Sequence, residues 1–314
     1  MKKIDLGIIG YGDHFERNIY PSLSKIKNIN IKAVLNRTKK KNFLKNTKFY
    51  TNANQFYNQK IDMVYISVPN QLHEYYILQS LKKNIHVMCE KPFVTSTKKF
   101  IEIKKLAKKK NLLIFESFMY KFHKLFKYLD NILKSKKLKV EYLIGNFRFP
   151  FLNKKNNRYF SNLGNGFFWD AACYLLSFDN YFFSDFKKSI IINKQFIEKK
   201  IVHRGNIFIK SNKISRYYFW GDGQKYSNNI EIFFENGSMF LPFFFLKPKN
   251  KTIQIEIFNN YKKLKKKFKN EDQFKNMFTF VFQNFHKKKF RDENIKLIEN
   301  QINFLKKILM NNSK

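Results

Sequence analysis

The chain has 314 residues, enough for two domains of ordinary size with a core in each, and 44% of them are hydrophobic. Its net charge of +39 comes from lysines spread along the whole chain in "RTKKKN", "AKKKN", "KKLKKKFK" and "FHKKKF", which reads as solvated surface and not as a dedicated nucleic-acid face, although such a field would draw in phosphates. No apolar run approaches the roughly 18 residues of a membrane span, the N-terminus turns to glycine and charge too soon for a signal peptide, and Cys89 and Cys173 lack C-x-x-C spacing, so a cytoplasmic protein with reduced thiols is expected.

In chain order, "IDLGIIG", "IKAVLN", "IDMVYISV", "NIHVMCE" and "NLLIFES" read as strands, and "EYYILQSLKK" and "TKKFIEIKKLAKKK" repeat apolar residues at helical spacing. Strands alternating with helices predict an α/β domain with a parallel, doubly wound sheet over residues 1–120. The rhythm then changes. "VEYLIGNFRFPF" predicts a long strand and "GFFWDAACYLLSFDNYFF" a buried helix. "KSIIIN", "VHRGNIFIK", "ISRYYFW", "NIEIFFENGSMFLPFFF" and "KTIQIEIF" predict further strands, with "ENGS" as a hairpin turn. Two helices, "DQFKNMFTFVFQNF" and "ENIKLIENQINFLKKIL", close a second domain, 121–314, that is expected to be α+β with a mainly antiparallel open sheet.

The first strand runs into Gly10-Tyr11-Gly12-Asp13-His14-Phe15. Glycines in such a turn let the backbone approach a pyrophosphate, which rests on the helix N-terminus. Phe15 stands where a third glycine is usual, so the fingerprint is incomplete. After the second strand come Asn36, Arg37 and Thr38, then Lys39 and Lys40, where an acid would bind the ribose diol of NAD. A guanidinium without a carboxylate favours the 2′-phosphate of NADP over NAD.

The stretches "MVYISVPNQLHEYYILQSLKKNIHVMCEKP", "ESFMYKFHKLF", "NNRYFSNLGNGFFWDAACYLL" and "GQKYSNNIEIFFENGSMFL" together resemble the glucose–fructose oxidoreductase and inositol dehydrogenase (Gfo/Idh/MocA) family over effectively the whole chain. The resemblance implies a Rossmann domain that binds NAD(P) and a second domain that shapes the substrate site and often carries the oligomer interface, here a homodimer or homotetramer. Lys91 of Glu90-Lys91-Pro92 matches the family's active-site lysine, with a cis bond before Pro92 expected. Asp170 and Tyr174, four apart and so on one helix face, match its acid and its His-or-Tyr position. Pro69, Asn70 and His73 match a segment near the cofactor, and Tyr120 and Arg158 fit positions near substrate. The departures are Asn165 in "GNGFFWD", Phe15, and Ala171-Ala172 where glycine is common.

The implied chemistry agrees with the residue types. Hydride transfer to a ketone leaves a developing alkoxide that needs a proton. Tyr174 can donate one if a nearby ammonium lowers its pKa from about 10. Lys91 would supply that charge and hydrogen-bond the substrate oxygen, while Asp170 orients a substrate hydroxyl or holds the lysine. The expectation is an NADP-preferring oxidoreductase of a sugar ketone or secondary alcohol, with nucleotide-linked keto-sugars favoured. A catalytically inactive NAD(P)-binding sensor or regulatory protein is the alternative. No metal is expected, since the six histidines are scattered without ligand spacing.

Overall fold

A computed structural model describes residues 3–38, 44, 47–135, 138–160, 166–184, 190–198, 200–212, 214–248 and 251–311. Lys39, Lys40 and Asn165 lie outside the described residues. Contacts divide the chain into two units, Met1–Met119 with Asp272–Ile302 and Tyr120–Glu271 with Asn303–Lys314.

The first unit begins with β1 (Ile4–Ile9), a π-helical stretch (Phe15–Ile19) continued by α1 (Tyr20–Leu23), β2 (Ile29–Leu35), β3 (Lys48–Tyr50) and α2 (Ala53–Tyr57). It goes on through β4 (Met63–Ile66), α3 (His73–Lys82), β5 (His86–Cys89), α4 (Thr97–Lys110) and β6 (Ile114–Glu116). The six strands are parallel and ordered β3-β2-β1-β4-β5-β6. Every residue of β4 is buried, as a strand covered on both faces requires. Ser96 caps α4 by accepting from the Lys99 amide, and Asn111 ends it in the left-handed conformation, φ 56°. Phe100, Ile103 and Ala107 form its buried stripe, leaving Lys108 and Lys109 of "AKKKN" to water, while Lys110 Nζ donates to the Lys82 carbonyl and Asn84 Oδ1.

The second unit contains α5 (Lys124–Lys134), β7 (Val140–Arg148), a π-helical stretch (Phe168–Ala172) that runs into α6 (Cys173–Phe182), β8 (Ile190–Glu198) and β9 (Ile201–Lys210). β10 (Ser215–Gly221), β11 (Ser227–Phe234), β12 (Gly237–Pro242), β13 (Ile253–Asn259) and β14 (Lys262–Phe268) follow. The eight strands are ordered β14-β13-β12-β11-β7-β10-β9-β8, antiparallel throughout except for β7 beside β10. Alternating burial along β11 and β10 leaves one face of this sheet open. The "ENGS" hairpin is present, with Phe234 paired to Gly237 across Glu235 and Asn236. The "KKLKKKFK" run forms β14, whose lysines blunt a sheet edge against pairing with another chain.

α7 (Gln273–Asn284) and α8 (Lys288–Met310) close the chain. A linear reading assigns both to the second domain, whereas contacts place α7 and most of α8 with the first. Phe278 packs edge-on against Tyr65, and Ile295, Ile298 and Ile302 join the core formed by Val87, Leu112 and Ile114. An apolar stripe predicts that a helix is covered but does not say by which sheet.

Burial pushes His86 down to about 4, helped by Arg291, and His123 down to about 3, helped by Lys247 and Lys124. Both folded values lie below the unfolded histidine value of about 6.5. The unfolded chain therefore binds protons first as pH falls through that value, and stability is lost below it. Between about pH 7.5 and 5, each histidine should cost roughly 2 kcal/mol. Asp179, raised by burial to about 6, opposes this with a smaller gain below pH 6. Urea midpoints measured over that range should fall; a flat or rising midpoint would contradict these burials.

Candidate active site

The first unit carries a glycine turn at the point where its strand order reverses, between β1 and β4. Ligands of doubly wound sheets bind outside the carboxyl ends of the strands at such a point. Gly10 has φ +94°, and a Cβ there would lie 2.7 Å from the Ser67 carbonyl, so only glycine fits. Around the position a Gly12 Cβ would take, no atom of the described residues beyond its chain neighbours lies within 4 Å, which leaves an open cradle before the helix. Where a third glycine is usual, Phe15 is fully buried, its ring 5.0 Å from that of Tyr11, which in turn lies 5.5 Å from Phe49. The helix opens in the wider π form at Phe15. Asn36 Oδ1 accepts from the Tyr11 amide at 3.1 Å and its Nδ2 donates to the Thr38 carbonyl at 2.9 Å, tying the glycine turn to the end of β2. Arg37 and Thr38 are exposed beside it. An open glycine cradle and a guanidinium without a carboxylate fit a dinucleotide diphosphate and a 2′-phosphate.

The Glu90-Lys91-Pro92 segment follows β5, and the Lys91–Pro92 peptide is cis. Glu90 accepts from the Tyr65 hydroxyl, and its Oε1 lies 3.3 Å from His14 Nε2. Burial alone would raise its pKa, but His14, the Tyr65 bond and the Lys91 ammonium outweigh it and hold the carboxylate ionised. His73 is fully buried, with Nδ1 2.8 Å from the Pro92 carbonyl and Nε2 2.9 Å from that of Val68. Burial holds it below the usual histidine range, and both ring nitrogens are engaged by backbone. The loop is pinned further by Glu116, which accepts from the Phe93 amide, and by Glu74, which accepts from the Thr95 and Ser96 amides. Lys91 itself is half-buried. Pro69 caps a short 3₁₀ turn, Asn70–Leu72, before α3, and Asn70 is half-buried. Asp13 is exposed, within 4.0 Å of Arg17.

In the second unit, Asp170 lies in the π-helical stretch and Tyr174 in the first turn of α6. π turns recur where helices carry functional side chains. Arg158 Nε donates to Asp170 Oδ2 at 2.6 Å and its Nη1 to Asn156 at 3.1 Å. The Asp170 charge raises the Arg158 pKa, and Tyr174 adds to the effect, so the three share one neighbourhood. The Tyr174 ring meets Phe147 edge-on at 5.2 Å, with Phe245 at 5.7 Å and Tyr120 at 6.0 Å. The Tyr120 hydroxyl bonds Ser177 Oγ at 2.7 Å and its ring is buried. Tyr120, Arg158, Asp170 and Tyr174 are thus brought together, while the first unit assembles Gly10, Gly12, Asn36, His14, Glu90 and His73 around the glycine turn and the Lys91 loop. Tyr65, Glu74 and Glu116 escape sequence reading, because each is an isolated polar residue whose partner lies far away in the chain; Asn156 bonds Arg158 only two residues on, but carries no motif.

Among the described residues there is no cluster of metal-ligating side chains and no helix long and apolar enough to cross a membrane. Residues 4–118 match the model of an oxidoreductase family with an NAD-binding Rossmann fold, Gfo/Idh/MocA. Among curated proteins, a dTDP-3,4-didehydro-2,6-dideoxy-alpha-D-glucose 3-reductase of Saccharopolyspora spinosa is 26% identical over 179 residues, 55% of this chain and 54% of that one. A D-xylose 1-dehydrogenase (NADP(+)) of Haloferax volcanii is 29% identical over 37% of this chain and 36% of its own. The chain thus matches about half, or less, of the length of these two relatives. Among solved structures, the 3-ketoreductase KijD10 from Actinomadura kijaniata, in complex with NADP and TDP-benzene, superposes with a TM-score of 0.92 at 19% identity, covering 99% of this chain and 98% of that one. With the glycine turn, the strand order and the Glu-Lys-Pro loop in place, residues 4–118 match the NAD-binding Rossmann domain of the Gfo/Idh/MocA oxidoreductases.

Proposed function

We propose that this protein is an NADP-preferring oxidoreductase that transfers a hydride between the nicotinamide and a ketone or secondary alcohol of a sugar, with nucleotide-linked keto-sugars as the favoured substrates. The observation that carries the reading is the Lys91 loop. A half-buried lysine follows an ionised buried glutamate in a segment fixed by His73, Glu74 and Glu116, more constraint than a surface lysine needs. Similarity to the dTDP-keto-sugar 3-reductase supports the choice of substrate class.

The glycine turn at Gly10 and Gly12 would hold the diphosphate of the cofactor, and Arg37 and Thr38 its 2′-phosphate. Bound there, the cofactor supplies the hydride. Lys91 stabilises negative charge developing on the substrate oxygen, Tyr174 delivers its proton, and Arg158 with Asp170 orients the sugar hydroxyls. The preference is tested by comparing Michaelis constants. NADPH should give a KM about tenfold or more below that of NADH, the worth of one charge-assisted contact to the 2′-phosphate. A lower KM for NADH would refute the NADP assignment.

The open sheet face supports assembly into a homodimer or homotetramer. On it Tyr142 stacks on Phe233 at 4.3 Å and Tyr217 on Phe208 at 4.8 Å, with Phe219 exposed beside them. Light scattering should give a mass of at least twice 38.1 kDa; a monomer at micromolar concentration would contradict it.

A further inference from the structure

A buried polar network in the second unit has no part in the chemistry proposed above. Asp222, just past β10, is fully buried, and its Oδ2 accepts from the Tyr159 hydroxyl at 2.6 Å. Asp222 Oδ1 lies 3.1 Å from His203 Nδ1, on β9, and its amide donates to the His203 carbonyl at 3.1 Å. The Tyr159 hydroxyl also accepts from the Leu152 amide at 3.0 Å, and its ring packs against Phe167 and His203. A fully buried carboxylate is costly unless its partners are well placed. Asp222, His203 and Tyr159 come from three separate segments, and Tyr159 is the residue next to Arg158.

Arg158 is fixed from its other side as well. Its carbonyl accepts from the Gly166 amide at 3.0 Å, and the next amide, Phe167, donates to Val202 at 2.8 Å. Gly166 has φ +79°, and a Cβ there would lie 2.4 Å from the Val202 carbonyl, so the contact cannot loosen to admit a side chain. The Arg158 guanidinium, 2.6 Å from Asp170, therefore hangs from a backbone held at Gly166 and at Tyr159.

We infer that Tyr159, Asp222 and His203 are positioning residues that clamp the segment bearing Arg158 and thereby set how tightly the Arg158–Asp170 pair holds the sugar. This rests on the reading of that pair as substrate-binding. Removing the Tyr159 hydroxyl should loosen substrate binding and leave the hydride step intact.

Tyr159→Phe removes only that hydroxyl and is measured in two ways. In steady-state reduction of a dTDP-linked keto-sugar, KM for the sugar should rise about tenfold, as expected for one lost hydrogen bond. kcat and the cofactor KM should stay within about twofold. Combined with Arg158→Ala, Tyr159→Phe should add nothing further. An unchanged sugar KM, or effects that multiply in the double variant, would overturn the inference. Hydrogen exchange on the same variant should be faster at the Leu152 and Gly166 amides and unchanged at Leu6 in β1, which reports that the fold is intact. Unchanged exchange at Leu152 and Gly166 would overturn the clamp, and it does so even if the unaltered protein reduces no keto-sugar and the substrate reading fails.

Discussion

Lys91→Ala should fold normally and lower kcat by about 10²–10³-fold, and Tyr174→Phe should do the same by about 10²–10⁴-fold. The folds should survive because other groups hold the surroundings of both side chains. The Lys91 loop is kept in place by His73 on the Pro92 carbonyl, by Glu116 on the Phe93 amide and by Glu74 on the Thr95 and Ser96 amides. Tyr174→Phe keeps the ring that packs on Phe147, Phe245 and Tyr120. If the ammonium and the phenol serve one proton transfer, the double variant should be little worse than the poorer single one, because groups that act as a unit are strongly non-additive. Stopped-flow or steady-state rates with unchanged thermal melting would support the assignment. Near-normal turnover in both single variants would remove it.

The largest stability loss is expected from Arg216→Met. Arg216 and Asp179 are both buried, with Arg216 Nε 2.8 Å from Asp179 Oδ1, and Tyr218 donates to the same oxygen at 2.6 Å. Removing the guanidinium strands a carboxylate in the core at a cost of roughly 3–5 kcal/mol. In a unit of this size that lowers Tm by roughly 6–20 °C. Asp179 is raised to about 6 by burial even with its partner present, so a proton can relieve the isolated charge. The loss should therefore be smaller at about pH 5 than at about pH 8. Replacing both residues, Asp179→Leu with Arg216→Met, should recover most of the loss, since an apolar pair needs no counter-charge. A single variant that melts like the unaltered protein would contradict the burial.

Much of this was legible in the sequence because it is written in local patterns. The parallel strands are short apolar runs between helical repeats, "ENGS" marks its hairpin, and Glu90-Lys91-Pro92 and Asp170…Tyr174 are contiguous or one helical turn apart. The unread parts depend on distance in the chain. Whether α8 packs on the first sheet is decided by the partners of Ile295 and Ile298, and no heptad records those partners. β3 is only three residues long, too short for periodicity, and β14 is hidden because its lysines look like any other charged run. Asp222 and Tyr159 are 63 residues apart and carry no motif, yet they make one of the shortest bonds in the second unit. His73, expected near the cofactor, has both ring nitrogens on backbone carbonyls, a placement that its Pro-Asn-x-x-His context does not reveal.

The most direct test of the proposed chemistry follows the transferred atom. NADPH dideuterated at C4 of the nicotinamide is incubated with the protein and a dTDP-linked keto-sugar, and the sugar is analysed by mass spectrometry. One deuterium should appear on the former carbonyl carbon with the unaltered protein, and essentially none with Lys91→Ala. Oxidation of the cofactor without deuterium in the sugar, or equal labelling by the Lys91 variant, would contradict the account.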